Sequence, residues 1–270
     1  MPYSQTSQNT LPPLSFETGR RPQKPRARGL TSIIDFGPDT MGWTGPRGVA
    51  DYLSCVAEYI DYAKIYAMNA LLLPEAAVTK IIRTYRDADI KPYAGGILFE
   101  YAYTKGEVEP YMRHLKKIGM PQVEVSENYI TLTPGERTRY IQMLKDNGFD
   151  IIYEFGRKNP TEPMSIRALE DIIRGNLELG VDHIIIEQSE IDFTSAHDPG
   201  VLNQILNSSW FHNIFIEADP TTFPSGHVEL LRKFGNDVNL ANIAASQALR
   251  LQGFRHGIGR PVNYSILSEV

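Results

Sequence analysis

Four segments of this 270-residue sequence share one spacing, three small or apolar residues followed by a carboxylate. They are Ser32-Ile33-Ile34-Asp35, Ile151-Ile152-Tyr153-Glu154, Ile184-Ile185-Ile186-Glu187 and Ile214-Phe215-Ile216-Glu217. A β-branched apolar run ending in an acid reads as a buried parallel strand that delivers a charged group at its C-terminal end. With neighbouring strands about 4.8 Å apart, Glu154, Glu187 and Glu217 can converge. Clustered carboxylates repel one another unless something positive sits among them. A hard divalent cation such as Mg2+ is one answer, since it takes oxygen ligands and often keeps waters for a substrate to displace. Glu154, Glu187 and Glu217 are then its candidate ligands. Lysine is the other answer. Lys64 ends the run Tyr62-Ala63-Lys64, and Lys158 follows Glu154 by four residues. Either can neutralise the cluster as an ion pair, and a lysine desolvated there can also move a proton.

The same rim is expected to carry substrate-binding groups at Asp35, Tyr66, Gly96, Ser126, Arg157, Asn239 and Asn242, with Glu127 and Glu190 close by. Gly95-Gly96 reads either as a tight turn or as backbone that a ligand can approach closely. His197 and His227 follow the sixth and seventh strand signals and can reach the same end. No phosphate-binding Gly-rich motif, nucleophile elbow or zinc-protease helix motif is present.

Eight strand signals must position these groups: Ser32–Asp35, Tyr62–Tyr66, Lys91–Ala94, Gln122–Ser126, Ile151–Glu154, His183–Glu187, Ile214–Glu217 and Val238–Leu240. Amphipathic stretches alternate with them. One starts after Pro46, another at Pro74, and a third at Thr133-Pro134-Gly135-Glu136, which has capping-box spacing with Pro at the first helical position. A fourth carries Ile166, Leu169, Ile172, Ile173 and Leu177 and closes at Gly180. The alternation specifies a single (β/α)8 TIM barrel over residues 30–270, whose active-site face is the C-terminal end of the strands. Residues 1–29 differ: Pro12, Pro13, Pro22 and Pro25 break regular structure beside a basic run from Arg20 to Arg28. They read as an irregular arm, either a solvated tail or, through Lys24-Pro25-Arg26, a strap docked on the barrel bottom or a partner subunit.

Composition narrows the function. The net charge of −5 argues against a nucleic-acid partner, which needs a basic surface. There is no apolar run of membrane-spanning length and no signal-peptide core. The lone Cys55 excludes an internal disulfide. The expectation is a cytoplasmic protein acting on a small molecule, with homo-oligomer formation left open.

The order of motifs resembles the phosphosulfolactate synthase family from Lys24 to Arg255. The resemblance rests on Ile34-Asp35-Phe36-Gly37, Tyr59-Ile60-Asp61-Tyr62-Ala63-Lys64, Gly95-Gly96-Ile97-Leu98-Phe99-Glu100, Val123-Glu124-Val125-Ser126, Glu154-Phe155-Gly156-Arg157-Lys158, Ile185-Ile186-Glu187 and Val238-Asn239-Leu240-Ala241-Asn242-Ile243. It implies a (β/α)8 fold and Mg2+-dependent addition of sulfite to phosphoenolpyruvate. The departures fall on anion-binding positions. Gln188-Ser189-Glu190 lacks the arginine expected after the sixth strand, and Ala218-Asp219-Pro220-Thr221-Thr222 lacks the lysine expected after the seventh. Ile97 replaces a threonine, and Gly253-Phe254-Arg255-His256-Gly257 lacks an acid. Tyr66, Ile97, Ile191 and Phe193 would make the mouth bulkier and more apolar. The combination suggests a lyase or cyclase that adds to, cyclises or isomerises an activated double bond in a larger, less anionic substrate. Glu154 and Glu187 would serve the chemistry, with Lys64 or Lys158 delivering the proton. True phosphosulfolactate synthesis, using Arg157, Lys158 and Arg255 for the anion, is the alternative. A non-catalytic barrel with a structural or stress role is a third.

Overall fold

The structure, a computed structural model, describes residues 23–39 and 45–262. Eight parallel strands close into a barrel in sequence order: β1 (Thr31–Asp35), β2 (Tyr62–Ile65), β3 (Lys91–Ala94), β4 (Gln122–Ser126), β5 (Asp150–Phe155), β6 (His183–Ile186), β7 (Ile214–Glu217) and β8 (Leu240–Ala244). Helices cover the outside. Among the described residues, no helix is long and apolar enough to cross a membrane.

Strand alternation sorts the side chains into two cores. Outward residues such as Ile33, Ala63, Val123, Val125, Ile151, Tyr153, Ile184 and Ile216 pack against the helices in the larger core. Inward residues Tyr62, Tyr93, Ile152, Ile185, Phe215 and Ala241, with Leu30, fill the barrel interior. Because the side-chain period along a strand is two, residues two places further on face the same axis. That rule lifts Lys64 above Tyr62, Glu154 above Ile152, Glu187 above Ile185 and Glu217 above Phe215. The apolar layer is the floor on which the charged layer stands.

The helix starts follow their sequence signals. Thr133 caps Pro134–Asp146 through a complete capping box with Glu136. Pro46 opens Pro46–Val56, and Gly180 follows Ile166–Glu178 with a left-handed φ of 71°. The eighth strand departs from expectation. It runs over Leu240–Ala244 rather than Val238–Leu240, because Asn239 takes up the strand entry. The Asn239 side-chain oxygen Oδ1 accepts from Leu30 N at 2.9 Å, and its Nδ2 donates to the backbone carbonyls of His212 and Ile214 at 3.0 Å each. Asn239 therefore ties the starts of β1, β7 and β8 together.

At this N-terminal end, residues 23–29 carry no helix or strand. Arg26 is buried there, with Nε 2.7 Å from Asp61 Oδ1 and a further bond to the Glu58 carbonyl. Asp61 also accepts from Thr31 N at 2.8 Å, so one carboxylate holds both the arm and the entry of β1. Pro12, Pro13, Arg20, Arg21 and Pro22 lie outside the described residues.

His227, expected in a loop, is part of a helix and sealed from solvent. It lies in helix Ser225–Phe234, fully buried against Phe223, with neither ring nitrogen hydrogen-bonded. Burial lowers its pKa to about 4, against a weak opposing pull from Asp219. Between that value and the ordinary 6.5 the unfolded chain binds the extra proton, so this contribution to stability is full above about pH 6.5 and lost as pH falls. The shift corresponds to roughly 3 kcal/mol on the order-of-magnitude scale of 1.36 kcal/mol per pKa unit. His227→Phe should flatten the fall in urea midpoint between pH 7 and pH 4.5; an unchanged slope would place the acid sensitivity elsewhere.

Candidate active site

β2, β4, β5, β6 and β7 bring Lys64, Glu124, Glu154, Glu187 and Glu217 to the C-terminal mouth. All five are buried. Lys64 Nζ stands 2.8 Å from Glu124 Oε2 and 3.1 Å from Glu154 Oε2. Lys158 reaches back from the loop after β5 to pair with Glu187, and lies 3.0 Å from Glu217 Oε1 and 4.0 Å from Glu154 Oε1. Gly156 makes that return possible. Its φ of 115° suits glycine, and a Cβ there would lie 2.6 Å from Glu190 Cγ and 2.9 Å from Glu187 Cβ. Ligand atoms of Glu154, Glu187 and Glu217 all lie within 4.8 Å of one another.

Charge is unbalanced here. Among the described residues, Glu124, Glu154, Glu187 and Glu217 pair with two cations, Lys64 and Lys158, which leaves two negative charges in excess when all are ionised. The cluster responds by holding protons. Burial and the neighbouring Glu154 carboxylate push Glu124 up to about 8, against the pull of Lys64. Burial together with Glu217 and Glu154 pushes Glu187 up to about 9, against Lys158. Burial also acts to raise Glu154, yet the two ammonium groups and a bond from Asn128 hold it well below the usual carboxylate range. The lowered pKa that burial would give Lys64 or Lys158 does not arise. Facing carboxylates outweigh desolvation and keep both ammonium groups charged.

The other sequence-derived positions separate. Asp35 breaks the pattern of the four acid-terminated strands. In the β1–β2 register Ile34 pairs with Lys64 and Asp35 with Ile65, so Asp35 turns outward with the helix-facing set. It accepts from Tyr85 OH at 2.7 Å and Gly37 N at 2.8 Å, away from the carboxylate cluster. Burial raises its pKa despite those two bonds. Gly96 gives its space to the protein itself. Gly96 N donates to Glu124 Oε1 at 2.7 Å, and a Cβ at Gly96 would come within 2.6 Å of Ser126 Cβ. Ser126 is fully buried and donates to Glu100. Arg157 is exposed, its backbone N–H bonded to Glu190 and its guanidinium 3.1 Å from Thr131 Oγ1. Tyr66 is exposed and packs against Phe36, with ring centroids 4.9 Å apart and planes tilted by 59°.

Asn242 lies on β8 with a left-handed φ of 57° and a buried carbonyl oxygen without a hydrogen-bond donor. Asn239 and Arg255 sit at the opposite end of the barrel, Arg255 on the carbonyls of Asn236 and Leu30. Arg255 therefore cannot join an anion site with Arg157 and Lys158. Ile191 is wholly buried in the outer core, and His197 is exposed at its helix end, so neither shapes the mouth.

Glu124, Glu100 and Asn128 were absent from the expected site. The signal for Glu124 lies in Gln122-Val123-Glu124-Val125-Ser126, where the polar residues alternate with valines and so share the inward face; Glu100 and Asn128 have no such signal.

A closed eight-stranded barrel with acids and lysines gathered at the strand C-termini has the architecture of a (β/α)8 enzyme. The family is identified by sequence: residues 19–260 match the model for (2R)-phospho-3-sulfolactate synthase (ComA), and the chain belongs to that family. A phosphosulfolactate synthase from Methanocaldococcus jannaschii is 32% identical over 241 residues, covering 86% of this chain and 92% of that protein. One from Bacillus subtilis is 27% identical, with 90% and 96% covered. Among solved structures, N-acetylneuraminate lyase from Fusobacterium nucleatum superposes with a TM-score of 0.54 at 12% identity, covering 90% of this chain and 78% of that one, a likeness of fold alone.

The two lysines should differ in structural weight. Removing one partner of a fully buried ion pair costs about 3–5 kcal/mol, so Lys64→Met should lower the urea midpoint sharply at pH 7. The Lys158 side chain keeps 35% of its surface in solvent, so Lys158→Met should cost less, on the order of 1 kcal/mol. Equal losses would contradict this division.

Proposed function

We propose that the chain is a lyase that adds a nucleophile across an activated, carboxylate-bearing double bond, on a substrate larger and less anionic than phosphoenolpyruvate. The observation that carries this reading is the excess of carboxylate over ammonium at the mouth. Such an excess is relieved either by two protons or by one divalent cation. Mg2+ suits the donor set of Glu154, Glu187 and Glu217, which offers hard oxygen ligands. When bound, Mg2+ would act as a Lewis acid toward the enolate charge that conjugate addition builds. Lys64, locked between Glu124 and Glu154, supplies fixed positive charge to that region. Lys158 is more accessible and can leave its carboxylates when a cation enters.

The substrate reading rests on the remaining cations. Both mouth lysines are already engaged with carboxylates, Arg255 lies at the other end, and Arg157 binds Thr131. Among the described residues, no two unengaged cations converge to receive a phosphate. Two missing charge-assisted contacts would weaken an anion by about 10²–10⁴-fold, at about 1.5–3 kcal/mol each. Phosphosulfolactate synthesis itself is the second reading, favoured by 32% identity across most of the chain and by the retained Glu154, Glu187, Lys64 and Lys158.

Incubation with sulfite, phosphoenolpyruvate and Mg2+, followed by mass spectrometry of sulfonate products, separates the two. The expected result is little or no turnover; a rate near about 1 s⁻¹, the low end for enzymes, would establish the second reading. Glu154→Gln, Glu187→Gln and Glu217→Gln should abolish Mn2+ binding monitored by electron paramagnetic resonance while preserving the fold. Unfolding without a change in Mn2+ affinity would make the cluster a structural ion-pair network.

A further inference from the structure

Glu100 is a buried carboxylate on helix Gly96–Lys105, and its acceptors are directed at one loop. It accepts from Asn128 N and Tyr129 N at 2.9 Å each, and from the Ser126 hydroxyl. Three donors on one carboxylate fix the path of the loop after β4. The loop in turn fixes the Asn128 side chain, whose Nδ2 donates to Glu154 Oε1 at 2.6 Å. The Glu154 carboxylate, held ionised by Lys64, only accepts, so this contact sets which end of the amide points where. The other end, Oδ1, is buried and receives no hydrogen bond. Asn242 Oδ1, one residue beyond the register partner of Glu217, is in the same condition. Buried polar atoms normally have partners. Both atoms are acceptors, and both belong to residues beside the carboxylate cluster, so each has capacity for a donor that a ligand there would bring.

We propose that Asn128 reads an O–H or N–H donor on the substrate, adjacent to the carboxylate that activates its double bond, and that Glu100 is the positioning residue that holds Asn128 in place. The substrate class is a hydroxylated or aminated unsaturated carboxylate. Phosphoenolpyruvate fits poorly, because a phosphate ester near neutral pH has given up most of its O–H protons. The inference rests on reading the mouth as a site for carboxylate substrates.

Lactate and propionate are suitable probes, being of equal length and differing by one hydroxyl. Titration calorimetry with Mg2+ present should show lactate binding about tenfold more tightly to the unmodified protein, the equivalent of about 1.4 kcal/mol. Asn128→Ala should bring the lactate-to-propionate affinity ratio to about one, whatever it does to the affinity for both acids; Asn128→Ser, which keeps an oxygen acceptor, provides a second variant if the alanine protein does not fold. Glu100→Gln should also reduce the lactate-to-propionate ratio, a selectivity that a merely structural role would not move. Equal binding of both acids by the unmodified protein overturns the proposal and leaves the proposed function standing. A preference that survives Asn128→Ala also overturns it, since the hydroxyl is then read by the cation. Failure of both acids to bind defeats the carboxylate-site reading along with the proposal.

Discussion

Charge balance at the top of the barrel is the constraint on which the rest of the site depends. Four buried carboxylates cannot stand together on two ammonium groups without taking up protons or a cation. The pressure explains why Lys64 is wedged between Glu124 and Glu154 and why Lys158 is brought back by a glycine-dependent turn. It also explains why both lysines stay charged despite burial. The chemistry is organised by acids that need positive charge, and the lysines answer that need before they can act as bases.

The pleat of the strands produces this arrangement at little cost in sequence. One alternation places Tyr62, Ile152, Ile185 and Phe215 in an apolar floor and the charged residues two positions later above it. The floor excludes water from below, which strengthens each ion pair above it. At the far end, Asp61 and Asn239 spend their hydrogen-bonding capacity on strand entries and the arm. The two ends divide the work as barrel enzymes do, with structure below and reactive groups above.

The barrel and the triad of Glu154, Glu187 and Glu217 were legible because apolar triplets followed by acids repeat on consecutive strands. Asp35 carries the same local pattern and faces the other way. Its direction is set by the β1–β2 register, which no single strand encodes. Asn239 was misplaced by the two-residue shift of β8, a strand whose short, polar-interrupted sequence gives a weak boundary, whereas Asn242 stays beside the register partner of Glu217. Glu124 went unassigned as a site residue because its strand alternates, whereas the other acids end continuous apolar runs. Asn128 and Glu100 could not be linked from sequence, since their connection is a loop closed by hydrogen bonds across 28 residues. The Gly95-Gly96 pair illustrates the same limit, with Gly96 yielding room to Ser126 and Glu124 where a ligand approach was the alternative.

The cluster also constrains what can enter. An anion seeking Lys158 must compete with Glu187 and Glu217, already in contact with that ammonium. Lys64 is less available still, being buried between two acids. A phosphate or sulfonate would therefore have to recruit its own cation or draw Lys158 away, and each route first exposes carboxylates to their mutual repulsion. A hydrated divalent cation and neutral donors meet the opposite reception, because the carboxylates and the two open amide oxygens all accept. The local bonding thus leaves acceptors at the mouth, the carboxylates and the two amide oxygens, facing whatever enters it.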